Sequence, residues 1–185
     1  HISRVHQSIS FPASFLLVAA LNPCPCGFLG DKKRTCICSP QQIGKYLGKL
    51  SGPLLDRIDL QVPVQSIDYD AITTTVAATS SAELFKMVAD ALAMQQTRFG
   101  EPGIYNNAMS TDQVDAYCIL TPDAQKLLKN AFEKLNLSMR GYHKLLKVAR
   151  TIADLVSSEL IDVAHIKEAI MYRSLDNYLD RQRMQ

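Results

Sequence analysis

The sequence predicts an α/β segment followed by an all-helical segment, and three observations lead there. An apolar run, Phe15-Leu16-Leu17-Val18-Ala19-Ala20-Leu21, stops at Asn22-Pro23. A run that short, bounded by turn formers, suits a strand buried on both faces, as in a parallel sheet. A second short strand is predicted at Gln61-Val62-Pro63-Val64. From Ser80 onward, apolar residues recur at helical spacing behind N-cap signals.

In chain order, Ser3–Pro12 reads as half of a hairpin, with Ile2, Val5 and Ile9 supplying apolar contacts. The buried strand comes next, then a Gly/Pro/basic loop from Cys24 to Pro40. Gln41–Leu50 is predicted as a short helix closed by Ser51-Gly52-Pro53, and Leu54–Leu60 leads into the second strand. The Thr/Ala-rich stretch from Asp68 to Thr79 has no firm period. It is read as a linker, 68–79, between a first unit, 1–67, and a helical unit, 80–185. In the helical unit, Ser80-Ser81-Ala82-Glu83 fits a capping box, with Leu84, Val88, Ala91 and Leu92 as the apolar stripe. Thr121-Pro122 supplies an N-cap and a first-turn proline ahead of Leu127, Leu128, Ala131 and Leu135. Ser138 caps a helix carrying Tyr142, Leu145, Leu146, Ala149, Ile152 and Ala153. Asp162 caps the last, with Ile166, Ala169 and Ile170 facing inward.

With 185 residues, 47% hydrophobic and 21% charged, the chain can bury a sizeable core, which excludes global disorder and a coiled-coil rod. No run of about 18 apolar residues occurs and no charged–apolar–small leader opens it, which predicts a cytoplasmic protein without a membrane span. His1 begins mid-pattern, as in a piece of a longer chain. Net charge is only +2, which does not announce nucleic acid, but through Gln65 seven basic residues face three acidic ones, so the N-terminal part leans that way.

Four of five cysteines, Cys24, Cys26, Cys36 and Cys38, fall within fifteen positions, and Cys118 stands alone. Four thiolates can close a tetrahedral Zn²⁺ shell with no position left for water, so the role would be structural. Gly27 and Gly30 give the intervening loop the freedom to bring the pairs together. The Cys-x-Cys spacing is tighter than the usual two to four between paired ligands, and a reduced, metal-free hairpin is the competing reading.

Asn22 ends the buried strand, where α/β proteins place ligand-touching groups, although an Asn there is more often a turn former. Arg57 lies between Asp56 and Asp59, and the bland reading is a local ion pair on a surface turn. Arg140 lies two residues past an N-cap, against the helix dipole, where an anion such as a phosphate would rationalise it, although from the residues alone a solvated arginine is the preferred reading. Lys126, Lys129, Lys134, Arg140, Lys144, Lys147 and Arg150 oppose only Glu133, which reads as a solvated face before it reads as a nucleotide or nucleic-acid contact. His1, His6, His143 and His165 show no ligand spacing and are assigned structural or surface roles.

Three segments together resemble one family. They are Phe11-Pro12-Ala13 with Leu17-Val18-Ala19-Ala20-Leu21-Asn22-Pro23-Cys24-Pro25-Cys26-Gly27, then Ser51-Gly52-Pro53-Leu54-Leu55-Asp56-Arg57-Ile58-Asp59, then Leu137-Ser138-Met139-Arg140-Gly141-Tyr142 with Val148-Ala149-Arg150-Thr151-Ile152-Ala153-Asp154-Leu155. The chain is similar to the magnesium-chelatase-like AAA+ ATPases of the ComM/YifB type, nearly to Tyr172-Arg173-Ser174-Leu175-Asp176. The resemblance implies the C-terminal part of a P-loop AAA+ α/β domain followed by a helical lid, assembled as a ring, a hexamer, with ATP and Mg²⁺ at subunit interfaces. It implies Asn22 as the sensor-1 residue orienting the attacking water, Arg57 as an arginine finger in a neighbour's site, and Arg140 as the sensor-2 arginine. Ile2–Phe11 resembles one arm of the pore-facing hairpin, with Arg4 as a DNA contact. No G-x-x-x-x-G-K-[ST] and no acidic Walker-B strand end occurs, so the chain is read as starting after those motifs and inactive by itself. The implied activity is ATP-driven DNA remodelling, branch migration or unwinding in transformation or recombination. The alternatives are a magnesium chelatase motor, against which the four thiols argue, and a zinc-stabilised, non-catalytic interaction module.

Overall fold

Ser, Thr and Asp side chains mark where the helices of this chain begin. In the computed structural model, residues 1–4, 7–12, 15–31, 33–64, 66–67, 69 and 79–173 are described. Two strands, β1 (Ile2–Arg4) and β2 (Gln7–Ile9), precede helices α1 (Pro40–Leu47), α2 (Gly52–Leu55), α3 (Ser81–Phe99), α4 (Thr111–Tyr117), α5 (Pro122–Lys134), α6 (Met139–Leu155) and α7 (Val163–Met171). A 3₁₀ turn, Asn106–Ala108, lies between α3 and α4.

The predicted caps hold. Ser80 accepts from the Glu83 N–H while Glu83 reaches back, and Thr121, Ser138 and Asp162 accept from backbone N–H groups of α5, α6 and α7. His165 completes the last box by accepting the Asp162 N–H at Nδ1, 2.9 Å, a structural role as expected. Two boxes were not anticipated: Ser39 with Gln42 opens α1, and Ser110 with Gln113 opens α4. Two loops pair briefly as Leu120 and Ile161, with Thr121 N–H to Ile161 O at 3.0 Å and Ile161 N–H to Ile119 O at 2.8 Å. That bridge sets the caps of α5 and α7 side by side.

The helical core is built on α6. Its buried Leu145, Leu146, Ala149, Ile152 and Ala153 meet Ile166 and Ala169 of α7, Ala124 and Leu128 of α5, and Val114 and Cys118 around α4. Phe99 closes the end of α3 against Tyr117, ring edge to face at 5.7 Å. Burial pushes the Cys118 thiol up to about 11, so it behaves as an apolar filler.

At the centre lies a carboxylate, Asp154, with no solvent exposure. Arg98 of α3 grips it with two bonds, 2.8 and 2.6 Å, Arg150 donates Nε at 3.1 Å, and Asn106 donates Nδ2 at 2.8 Å. Arg150 also donates to the Ser158 and Glu159 carbonyls. The Asn106 N–H is taken by Gln95 of α3 at 3.0 Å. Bonds to Asp154 raise Arg98 above its ordinary pKa, whereas burial lowers Arg150 against the pull of the same carboxylate.

The strand expectations fail. Phe15–Leu21 is neither paired nor buried; Leu16 and Val18 are 89% and 83% exposed. An apolar run is buried as a strand only where neighbours supply hydrogen bonds and a covering layer, and among the described residues none does. Gln61 makes a single parallel bridge to Arg173, and Val62 and Val64 are exposed. The hairpin is complete rather than half: β1 pairs β2 antiparallel, Ile2 with Ile9 and Arg4 with Gln7. Its apolar residues are exposed, and residues 5 and 6, including the predicted contact Val5, lie outside the described set. Leu84 and Val88, expected to face inward, are about half exposed, so α3 buries a face only from Ala91 onward. Most of the predicted linker, 68 and 70–78, and residues 174–185 lie outside the described residues.

Replacing Asp154 by Ala strands two guanidinium groups and an amide in the core. The expected cost is about 3–5 kcal/mol, read as a lower urea midpoint of the folded chain. An unchanged midpoint refutes the central role of this cluster.

Candidate functional site

The first candidate is the thiol cluster. Cys24-Pro25-Cys26-Gly27 turns back on itself, with the Gly27 N–H on the Cys24 carbonyl at 3.0 Å. Gly27 adopts φ +84°, a left-handed conformation that an L side chain strains. Cys36 and Cys38 approach from the far side of the loop. The Sγ atoms of Cys24, Cys26 and Cys36 stand 3.3, 3.7 and 3.6 Å apart, and all four sulfurs lie within 4.8 Å of one another. A tetrahedral shell with bonds of about 2.3 Å has sulfur–sulfur edges of about 3.8 Å. The donor set and spacing therefore fit a four-thiolate metal ion, and the short Cys-x-Cys spacing is no obstacle. All four cysteines are free of disulfides.

The thiols do not share their protons evenly. The Phe28 N–H, then that of Ile37, holds Cys26 down to about 6, despite opposing burial. For Cys36 the Cys38 N–H pulls downward, yet burial and the contacts to Cys26, Cys24 and Cys38 prevail and push it up to about 12. Burial also raises Cys38. One thiolate stabilised by N–H donors and neighbouring thiols is the expected metal-free state of such a cluster.

Behind the sulfurs is a small apolar core. Fully buried Cys24 packs with Ile43 and Leu47 of α1 and Leu55 of α2. α2 was not anticipated, because Ser51-Gly52-Pro53 read as a helix end; Ser51 instead starts a new turn by accepting the Leu54 and Leu55 N–H groups. Asn22 is exposed at the base of the knuckle, where a Cβ built on Gly27 would stand 4.0 Å from its Cγ. Arg4 is exposed on β1.

Arg57 follows α2 directly. The local pairing with Asp56 and Asp59 is replaced by something longer in range. Arg57 donates Nη1 to the Pro53 carbonyl at 2.6 Å and is otherwise exposed. Asp56 accepts from Arg173 at 3.2 Å and from the hydroxyl of Ser138, the cap of α6, at 3.3 Å. Asp59 pairs with Lys144 of α6 at 2.7 Å, and the same ammonium caps the Arg57 carbonyl. The backbone joins in, with the Gln61 N–H on the Tyr172 carbonyl at 2.8 Å. These partners are 82 to 117 residues apart in the chain, which is why spacing alone gave no sign of them.

Arg140 is the second residue of α6, exposed, in a first turn without an acidic residue. Arg57 and Arg140 thus flank one joint, whereas Asn22 belongs to the knuckle. The basic stretch around Arg140 is only partly a solvated face. Lys144 and Arg150 turn inward as described, and Lys147 donates to the Asn107 and Met109 carbonyls at 3.0 and 2.7 Å. Lys129, Lys134 and Arg140 remain exposed. Among the described residues, no helix is long and apolar enough to cross a membrane.

Comparison with known proteins places these features in a family. Residues 1–72 match the family described as magnesium chelatase, subunit ChlI, and residues 78–173 match magnesium chelatase, subunit ChlI C-terminal. The chain is 40% identical over 182 residues to competence protein ComM of Haemophilus influenzae. It is 36% identical over 180 residues to YifB of Escherichia coli and 35% identical over 181 residues to YifB of Salmonella typhimurium. Each alignment covers 97% of this chain but 35% of the relative, so the chain spans about a third of the length of these proteins. With both family regions matched in order and ComM/YifB-type relatives along nearly its whole length, the chain belongs to the magnesium chelatase subunit ChlI family.

Proposed function

We propose that this chain is the arginine-bearing, lid-bearing part of a ring-forming AAA+ ATPase that remodels DNA. In this reading residues 1–67 are the C-terminal part of the α/β core, 68–79 the linker and 80–185 the lid. The observation that carries it is the charge arrangement at the joint. Asp56 and Asp59 are occupied by Arg173 and Lys144, which leaves Arg57 and Arg140 as exposed cations with no ion-paired carboxylate among the described residues. Cations so placed suit the phosphate oxygens of ATP, where phosphoryl transfer needs positioned charge.

Arg57 acts as the finger in a neighbour's site, Arg140 touches the nucleotide from the lid, and Asn22 orients the attacking water. Bound Mg²⁺ neutralises charge on the transferring phosphoryl group. The 185 residues contain no G-x-x-x-x-G-K-[ST], so the phosphate cradle and the Mg²⁺ ligands belong to the rest of the protein. DNA as the polymer is supported by the relative at 40% identity, named a competence protein, and by the basic N-terminal part with Arg4 on an exposed hairpin. The assembly is a homo-hexamer working in the cytoplasm. The family description favours a second reading, a motor that drives Mg²⁺ into a porphyrin, and ATP-dependent metal insertion with partner subunits separates the two.

Zn²⁺ is the ion assigned to Cys24, Cys26, Cys36 and Cys38, since four clustered thiolates select it over harder cations. Its work is structural: it holds the knuckle under α1 and α2.

Metal analysis of protein purified without chelator should give about one zinc per chain, and Cys26→Ser with Cys38→Ser should lose it and lower the melting temperature. Metal-free protein of unchanged stability ends the zinc assignment. In the full-length protein, Arg57→Ala should reduce ATP turnover by about 10³-fold or more, while residues 1–185 alone should show none above buffer. Binding of the ring to DNA should weaken steeply with salt. Full-length protein that does nothing to any DNA substrate in the presence of ATP overturns the remodelling role.

A further inference from the structure

The turn carrying Arg57 poses an electrostatic problem that the fold answers. An arginine directly after one aspartate and two residues before another, on a tight turn, should be captured by its own neighbours. The turn is indeed tight: the Arg57 N–H bonds Leu54 O at 2.9 Å and the Ile58 N–H bonds Leu55 O at 3.0 Å. Yet both acids are drawn off by cations of the helical unit. Lys144, 17% exposed at its side chain, takes Asp59 at 2.7 Å. Arg173, 4% exposed at its side chain, takes Asp56 at 3.2 Å, helped by Ser138. The Arg173 guanidinium crosses over Gly141, where a Cβ would stand 3.5 Å from Nη2, so it reaches Asp56 through the first turn of α6. Leu55, 6% exposed, anchors the other side of the turn in the thiol-lined core.

We propose that Lys144 and Arg173 are positioning residues that hold Asp59 and Asp56 away from Arg57, so that the Arg57 charge is available only while the helical unit is seated on the turn. This deepens the proposed role of Arg57 and rests on it. If the helical unit lifts, Asp59 and Asp56 lose their cations and Arg57 is the nearest replacement on the same turn. Pairing with an adjacent carboxylate then withdraws the guanidinium from any phosphate it would meet, because one planar fork cannot serve two anions at full strength. Seating of the lid is thereby converted into exposure of a cation.

The test uses the full-length protein and two readouts. The first is the rate at which phenylglyoxal labels Arg57, followed by mass spectrometry of the peptide. Lys144→Ala should slow labelling several-fold, and Lys144→Ala with Asp59→Asn should restore it. The second is ATP turnover at saturating nucleotide. Lys144→Ala should lower kcat about tenfold or more with nucleotide affinity unchanged, Asp59→Asn added to it should recover most of that loss, and Lys144→Arg should preserve activity. A Lys144→Ala loss that Asp59→Asn does not rescue in either readout overturns the proposal, as does a Lys144→Ala protein with normal labelling. If Arg57→Ala leaves turnover intact, the finger role fails instead, and the labelling result still decides whether the lid keeps the acids off Arg57.

Discussion

Asp154 imposes the strictest geometric demand on the helical unit. A carboxylate with no solvent contact is tolerable only when its oxygens are fully engaged. Here the donors come from α3, from the 3₁₀ turn and from α6 itself. The apolar contacts among α4–α7 would allow small slips between helices, but an ion cluster of this kind tolerates very little. Arg150 extends the same demand to the loop before α7 through the Ser158 and Glu159 carbonyls. The end of α6, the entry to α7 and the C-terminal half of α3 are thus placed by one side chain, and the start of α6, where Arg140 and the Asp56 contact lie, is positioned along with them.

How much of this could be read beforehand depended on range. Helix starts were legible because a cap is a matter of three or four residues: Ser80, Thr121, Ser138 and Asp162 behave as their spacing says. The stripes on α5, α6 and α7 were legible for the same reason. The strand at Phe15–Leu21 was not, since burial of a strand is decided by its neighbours and not by its own composition. Leu84 and Val88 make the same point within a helix whose periodicity is correct and whose first turns nonetheless stay about half exposed, with no covering layer among the described residues. Arg150 looked like one more surface cation in a basic run, although the acid four residues on, Asp154, was in plain view.

The candidate site divides along the same line. Four cysteines in fifteen positions announce themselves, and the structure brings their sulfurs within reach of a single ion. What spacing could not convey is that the knuckle shares an apolar core with the helix preceding Arg57. Nor could it show that the acids beside Arg57 belong electrostatically to residues far along the chain. The turn is consequently held from two sides, by packing toward the thiols and by charge toward the helical unit. The two attachments differ in kind: the apolar one has no use for ionic strength, while the exposed half of the Asp59–Lys144 pair is open to screening.

Cys38 is followed without a gap by Ser39, the residue that caps α1. An eight-residue helix rarely persists in water, because the first turn must be ordered before hydrogen bonds accumulate. A metal ion held at Cys38 would fix the backbone at that starting point and supply the nucleus from outside the helix. Folding of this end would then become a coordination event, its rate governed by ion capture and its reversal by chelation.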